Sequence, residues 1–230
     1  MSFKGELEAR CPNGCPSFDT EVWSFIRGDT DPELRETVRA RECNLLLCPG
    51  CEKPFYADAP YVYFEPGAEL LAFVFPESYK KHAAHWVKKM RADFGRMQGV
   101  LAARMPTGLD PEVFFGVEGL AELLELEDFR RTEVEVMEAV AKELGLSLYR
   151  VSPCFARKAK IPAVLPCSAA PGKPAAIEGV IEGLKTLLKA NGRLRSFRDY
   201  LKVLAKAKGG LPPAIGASPP AAGSARGSSS

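Results

Sequence analysis

Two close cysteine pairs carry most of the chemistry this sequence offers: CPNGC from Cys11 to Cys15 and CPGC from Cys48 to Cys51. Three residues lie between the sulfurs of the first pair and two between those of the second, spacings used by zinc-binding knuckles. A short loop of this kind aims two thiolates at one ion. Zinc suits four thiolates because its filled d shell imposes no geometry of its own and accepts a closed tetrahedral shell. A closed shell leaves no position for substrate water, so the expected role is structural. Pro12 and Pro49 each fix one loop dihedral, and Gly14 and Gly50 allow tight turns. The bland alternative is that these are small buried side chains with no metal. Paired spacing that occurs twice argues against it.

The other reactive residues form no comparable pattern. Cys43 precedes an apolar run and reads as core, with a reserve-ligand or redox role as the sharper alternative. Cys154 and Cys167 with His82 and His85, the only two histidines, have the composition of a second Cys2His2 site. Long gaps and the lysines flanking the histidines favour packing and a solvated helix face. No Gly-rich phosphate loop, HExxH pattern or Ser-His-Asp ordering appears, so an enzyme reading would rest on carboxylates or lysines that look like surface charge.

The elements that must position the four cysteines follow from periodicity and turn signals. Residues 18–26 are aromatic and β-branched and predict a strand leading from the first pair. Asp31 and Pro32 open a short helix with Leu34 and Val38 on one face. Residues 44–47 form a short apolar run that delivers the chain to Cys48. Residues 56–64 and 70–75 read as strands between the turn signals Asp58, Pro66 and Pro76. From Tyr79 to Leu101 apolar residues recur at steps of three and four, which predicts a long amphipathic helix. EVFFGV suggests a buried strand, residues 118–126 and 132–144 two helical stretches, and Gly145 a C-cap. Residues 146–151 and 161–165 are candidate strands. Ile177, Val180, Ile181, Leu184, Leu187 and Leu188 mark one helical face, and Ser196 with Asp199 makes a capping-box pattern before a last helix. Beyond Lys208, 19 of 22 residues are Gly, Pro, Ala or Ser, which predicts a disordered tail.

These readings give an α+β chain: a zinc-ribbon-like, β-rich module over 1–78 with a short inserted helix, a helical region over 79–145, a basic α/β segment over 146–208, and the tail over 209–230. The insertion accounts for the 32 residues between Cys15 and Cys48, where a plain ribbon uses about 15 to 20. Charge is distributed in blocks. Residues 109–150 hold 4 basic and 11 acidic side chains, and residues 151–230 hold 13 and 3. Such blocks attract each other or face an external polyanion. Nucleic-acid binding by the basic segment, through Arg157 to Lys160, Lys185, Lys189, Arg193, Arg195, Arg198, Lys202, Lys206 and Lys208, with Phe197 and Tyr200 as stacking candidates, is therefore the main rival to a protein-interaction role. No apolar run approaches the ~18 residues of a membrane span, and the start carries acidic residues where a signal peptide is apolar. Cysteines that pair by spacing rather than by disulfide fit a reducing, cytoplasmic setting.

The chain resembles the CpXC domain family, bacterial and archaeal proteins named for two Cys-Pro-x-Cys motifs. The likeness rests on CPNGC, the strand around Val22 to Ile26, PELR at Pro32 to Arg35, NLLLCPGC from Asn44 to Cys51, APYVYFEP and FVFPE, and continues faintly through FFGVEGLAELLELEDF to about Leu144. It implies a zinc-ribbon-like module with the family's cysteines at Cys11, Cys15, Cys48 and Cys51 and a further matching position at Asn44. It assigns no substrate or reaction. Two departures stand out: the first motif has one extra residue, and Glu52 occupies the position after the last cysteine where the family often has Gly.

Overall fold

In the computed structural model, residues 1–101, 109–168, 175–206 and 210–215 are described. They form two compact units, the first holding residues 1–101 and 109–136, the second the described residues from 137 onward.

The first unit is built on a mixed five-stranded sheet. β1 (Phe3–Ala9) pairs antiparallel with β2 (Phe18–Arg27), which runs parallel to β5 (Tyr61–Glu65). β5 pairs antiparallel with β6 (Leu70–Phe75), and β6 runs parallel to the edge strand β7 (Glu112–Phe115). A two-stranded hairpin, β3 (Leu45–Leu47) with β4 (Pro54–Tyr56), stands beside it as a separate small sheet. The near-continuous apolar runs of β5 and β6 are explained because both faces of the sheet are covered. Tyr61, Tyr63, Leu70, Ala72 and Val74 point to one face, where Val38 of α1 (Pro32–Arg39) and Leu120 and Leu124 of α3 (Glu118–Glu143) complete a core. Phe64, Leu71 and Phe75 point to the other, against Met90 and Phe94 of α2 (Ala83–Leu101). Phe75 anchors an aromatic stack there, 5.7 Å from Phe115 and 5.9 Å from Trp86 between ring centres.

Burial of an ionic cluster ties the helices to the sheet. Arg35 of α1 lies 3.3 Å from Glu65 and 2.7 Å from Asp128 of α3, and Tyr63 donates its hydroxyl to Glu65 at 2.7 Å. Burial works against the Arg35 charge, but the bond to Asp128 and the field of Glu65 outweigh it and raise its pKa. Gly28 makes room for this arrangement, since a Cβ there would stand 1.9 Å from Tyr63 Oη.

The structure departs from the sequence reading in ways with clear causes. The stretch 79–145 is no separate helical region: α2 and α3 cover the two sheet faces, and β7 extends the sheet between them. The two helical stretches at 118–126 and 132–144 are one helix, α3. The strand expected over 56–64 breaks into β4 and β5, with Pro60 between them. β1 was not expected at all. Phe3, Leu7 and Ala9 alternate with Lys4, Glu6 and Glu8, but Gly5 interrupts the apolar face; Asp31, rather than capping α1 with its side chain, accepts from the Ser2 backbone N–H and hydroxyl, fixing the start of the strand.

The second unit pairs β8 (Ser147–Arg150) antiparallel with β9 (Val164–Cys167), joined through α4 (Pro153–Ala159), a helix the sequence reading missed; Ser152 caps it by accepting from Phe155 N–H at 3.3 Å. Gly145, at φ 65°, ends α3 as expected, and Leu146 N–H reaches back to Ala141. α5 (Ile177–Ala190) lies directly on β9, because a Cβ on Gly183 would stand 2.3 Å from the Pro166 carbonyl oxygen. α6 (Arg195–Lys206) begins one residue before Ser196, so the capping-box Ser sits inside the first turn rather than ahead of it. The first residues of the expected tail are also placed. Pro212 is buried and its carbonyl accepts from the Tyr149 hydroxyl, Ser152 N–H bonds to Pro213, and Val151 bridges Ala214. Backbone bonding to β8 and its flank holds a segment whose composition alone would leave it loose. Residues 216–230 of that tail lie outside the described residues. No helix among the described residues is long and apolar enough to cross a membrane.

Candidate metal centre

The first cysteine pair occupies the turn between β1 and β2, and the second occupies the turn between β3 and β4. In the first, Gly14 takes φ 78° and its N–H bonds back to the Cys11 carbonyl at 3.1 Å. In the second, Glu52 N–H bonds to the Cys48 carbonyl at 2.9 Å and Cys48 N–H to the Lys53 carbonyl at 3.1 Å. Gly50 is not in a left-handed turn, and a Cβ there would meet Cys15 at ordinary contact distance, 3.5 Å from its sulfur. Glu52 stands at φ 55°, a left-handed conformation that costs a residue with a Cβ roughly 1 kcal/mol and costs Gly nothing. Gly would be the unstrained residue at this place. Glu tolerates the same backbone.

Two hairpins from distant parts of the chain thus present their tips to each other. The four sulfurs of Cys11, Cys15, Cys48 and Cys51 all lie within 4.8 Å of one another, and those of Cys11 and Cys51 are 3.7 Å apart. A tetrahedral ion with metal–sulfur bonds near 2.3 Å would set its sulfurs about 3.8 Å apart, so the donor set fits a thiolate-bound divalent ion. Among the described residues this is the one group of three or more Cys, His, Asp or Glu side chains close enough to hold a metal. Cys11 and Cys48 are buried, while Cys15 and Cys51 are partly exposed.

Sulfur-directed donors complete the site. Asn13 points its backbone N–H at Cys11 Sγ, 3.4 Å, and its side-chain amide at Cys51 Sγ, 3.5 Å. Nothing in the sequence reading singled out Asn13; a polar residue inside a knuckle was the available signal. The Lys53 N–H and the Asn13 amide hold the Cys51 thiol down to about 6, whereas hydrogen bonding to Cys51 and Cys48 raises Cys15. With no metal bound, Cys51 is therefore the more acidic of the two thiols and the more readily ionised at pH 7. Iodoacetamide at that pH is expected to alkylate Cys51 well before Cys15, as read by peptide mass mapping, and lowering the pH to 5 should slow Cys51 sharply.

Asn44 holds the second hairpin to the sheet. Its side chain accepts from Trp23 N–H at 2.8 Å and donates to the Trp23 carbonyl at 2.9 Å, while its own carbonyl receives Ala57 N–H at 2.9 Å. It does so at φ 56°, a conformation Asn tolerates better than most residues. Phe18 and Phe55 meet edge to face at 6.3 Å and join the two hairpins. Asn44→Ala removes both side-chain bonds and leaves Ala in a left-handed backbone, an expected cost of about 2 kcal/mol in urea unfolding. Asn44→Asp keeps the acceptor for Trp23 N–H but sets a carboxylate oxygen against the Trp23 carbonyl, so it is expected to lose at least as much.

The remaining sequence candidates stay apart from this site. Cys43 is buried in the core beneath β5, where burial pushes its thiol up to about 12. His82 and His85 are exposed at the start of α2 and its approach, and Cys154 and Cys167 belong to the second unit. Lys185, Lys189, Arg195, Arg198 and Lys202 are exposed on α5 and α6, but Phe197 and Tyr200 are buried and present no stacking face.

Fold and site together define a class: a mixed-sheet α/β module with two cysteine knuckles at the tips of two hairpins, able to enclose one metal ion. Residues 9–139 match the family described as CpXC protein, and the chain belongs to that family. No curated protein and no solved structure matches the chain.

Proposed function

We propose that Cys11, Cys15, Cys48 and Cys51 bind one structural Zn2+ in a zinc-ribbon-like arrangement, and that the hairpin it fixes is a contact surface for a protein partner. The observation that carries the second part is the outer face of β3 and β4. Leu45, Leu47 and Tyr56 are 41%, 64% and 48% exposed, and the pairing sets Leu45 opposite Tyr56 and Leu47 opposite Pro54. Leu45 and Leu47 stay open to solvent beside Tyr56, which donates its hydroxyl to the Arg41 carbonyl at 2.7 Å, and contiguous exposed apolar surface is characteristic of interaction sites. Zinc supplies rigidity here: bound by four thiolates, it holds the hairpin tips together, while Asn44 and Phe55 orient the hairpin. A reducing, cytoplasmic setting would keep the sulfurs available as thiolates.

The test is affinity capture with the full chain, comparing wild type with Leu47→Asp and with the cysteine variants described below. Leu47→Asp is expected to retain metal and its unfolding midpoint yet lose the captured partner. Retention of the same partner by Leu47→Asp would remove the hairpin from the account.

A further inference from the structure

A second site lies in the first unit, separate from the cysteine cluster, in a pocket of about 690 Å³ between the Cys43–Asn44 turn, the end of β6 and the start of α3. That volume falls in the range of small-molecule sites, ~300–1,000 Å³. Its walls are apolar where Phe75, Phe115, Ala57 and Val74 line it. Its rim carries Asp58, Glu77, Glu118 and one cation, Lys80, which pairs with Glu77 at 3.0 Å. Asp58 also accepts from the Ser78 hydroxyl at 2.7 Å. Counting these four groups, the rim is net negative by two charges.

Two features point to a ligand. Gly116, at φ 83°, carries no side chain where one would have to stand between two carboxylates: a Cβ there would be 2.8 Å from Glu118 Oε2 and 2.9 Å from Glu77 Oε2. The two acids therefore converge on a space that the chain leaves open. The second feature is Tyr61, 6% exposed, whose hydroxyl is buried without a hydrogen-bond partner. Tyr61 itself lines this pocket with Cys43, whose thiol its hydroxyl faces. A thiol is a weak partner, and an unmet buried hydroxyl ordinarily costs stability.

We propose that this pocket binds a small organic cation, an amine with an apolar body, whose ammonium sits between Glu77 and Glu118 and whose body lies against Phe75 and Phe115 above Tyr61. The ammonium bridges Glu118 and the Glu77 oxygen that faces it, and only the exposed Lys80–Glu77 pair, a weak interaction, has to yield. An anion is disfavoured by the rim. This inference does not rest on the zinc reading, and neither depends on the other.

Amide spectra of the full-length, metal-loaded chain, titrated with benzylamine and tryptamine and, as comparators, benzyl alcohol and indole-3-acetate, test it. The amines are expected to give saturable shifts at Gly116, Gly119 and Ala57, with the neutral and acidic analogues at least tenfold weaker. Glu118→Gln should weaken amine binding at least fivefold with an unchanged melting temperature. Tyr61→Phe should weaken it while leaving the melting temperature the same or higher, because it removes an unmet hydroxyl, which a purely structural tyrosine would not do. Equal response to amine and acid, no saturation with any of the four compounds, or an unaltered affinity in Glu118→Gln would each overturn the proposal.

Discussion

Replacing Cys11 and Cys48 by serine, one ligand from each knuckle, is expected to reduce bound zinc from one per chain to none and to unfold the paired hairpins. Both residues are buried, so each serine puts a hydroxyl where a buried sulfur stood. The loss is large because the tips of the two hairpins have little else to hold them: the sulfurs converge from loops, and otherwise the Asn13–Cys51, Phe18–Phe55 and Asn44 contacts join the hairpins. Structural zinc contributes an apparent ~10 to 16 kcal/mol at neutral pH in small zinc-dependent folds. Here part of that should be retained by the sheet, whose cores on both faces lie away from the cluster. The expected signature is therefore local: amide exchange accelerates at residues 10–18 and 44–57, while β5 and β6 stay protected. Chelation of the wild type should reproduce it, and acidification should too, since protons compete for the thiolates.

The second large effect is expected from Arg35→Ala. Arg35 is the shared cation of Glu65 and Asp128, at 3.3 and 2.7 Å, and Arg131 reaches Glu65 only from 3.8 Å. Without Arg35 the buried Glu65 keeps the Tyr63 hydroxyl but loses its main countercharge. Breaking a buried pair on one side costs about 3–5 kcal/mol, and the partial exposure of Asp128 favours the lower end. A fall of that size lowers the melting temperature of the first unit by roughly 10 °C. Arg96→Ala, which removes an exposed partner of Asp93 on α2, is the control and should leave the midpoint unchanged. If the two variants melted alike, the ion cluster would not be what binds α1 and α3 to the sheet.

How much of this was legible in advance varies with the kind of signal. The four cysteines and their convergence were readable because knuckle spacing is short-range, and a short-range pattern survives whatever the rest of the chain does. β2, α1, β6, α2 and α5 were readable for the same reason, each carrying its own periodicity and punctuation. β1 was not, because Gly5 interrupts its apolar face and its pairing is specified by β2 and by the Ser2–Asp31 bonds. The layout of the sheet was equally hidden. β5 and β6 read as apolar runs, but that helices from 83 to 143 would cover both faces depends on contacts far apart in sequence. Within the site, Asn13 and Glu52 matter through where their amide and backbone dihedral fall, which residue type alone does not announce. The reverse error occurred at Phe197 and Tyr200, where the sequence allowed a stacking surface and packing against the second unit's own core took both side chains.

The most direct test of the central claim is zinc K-edge X-ray absorption on protein purified under reducing conditions. The account predicts one zinc per chain in a shell of four sulfurs at about 2.3 Å, with no nitrogen or oxygen ligand. A shell containing histidine or water, or a folded wild type that carries no metal, would contradict it.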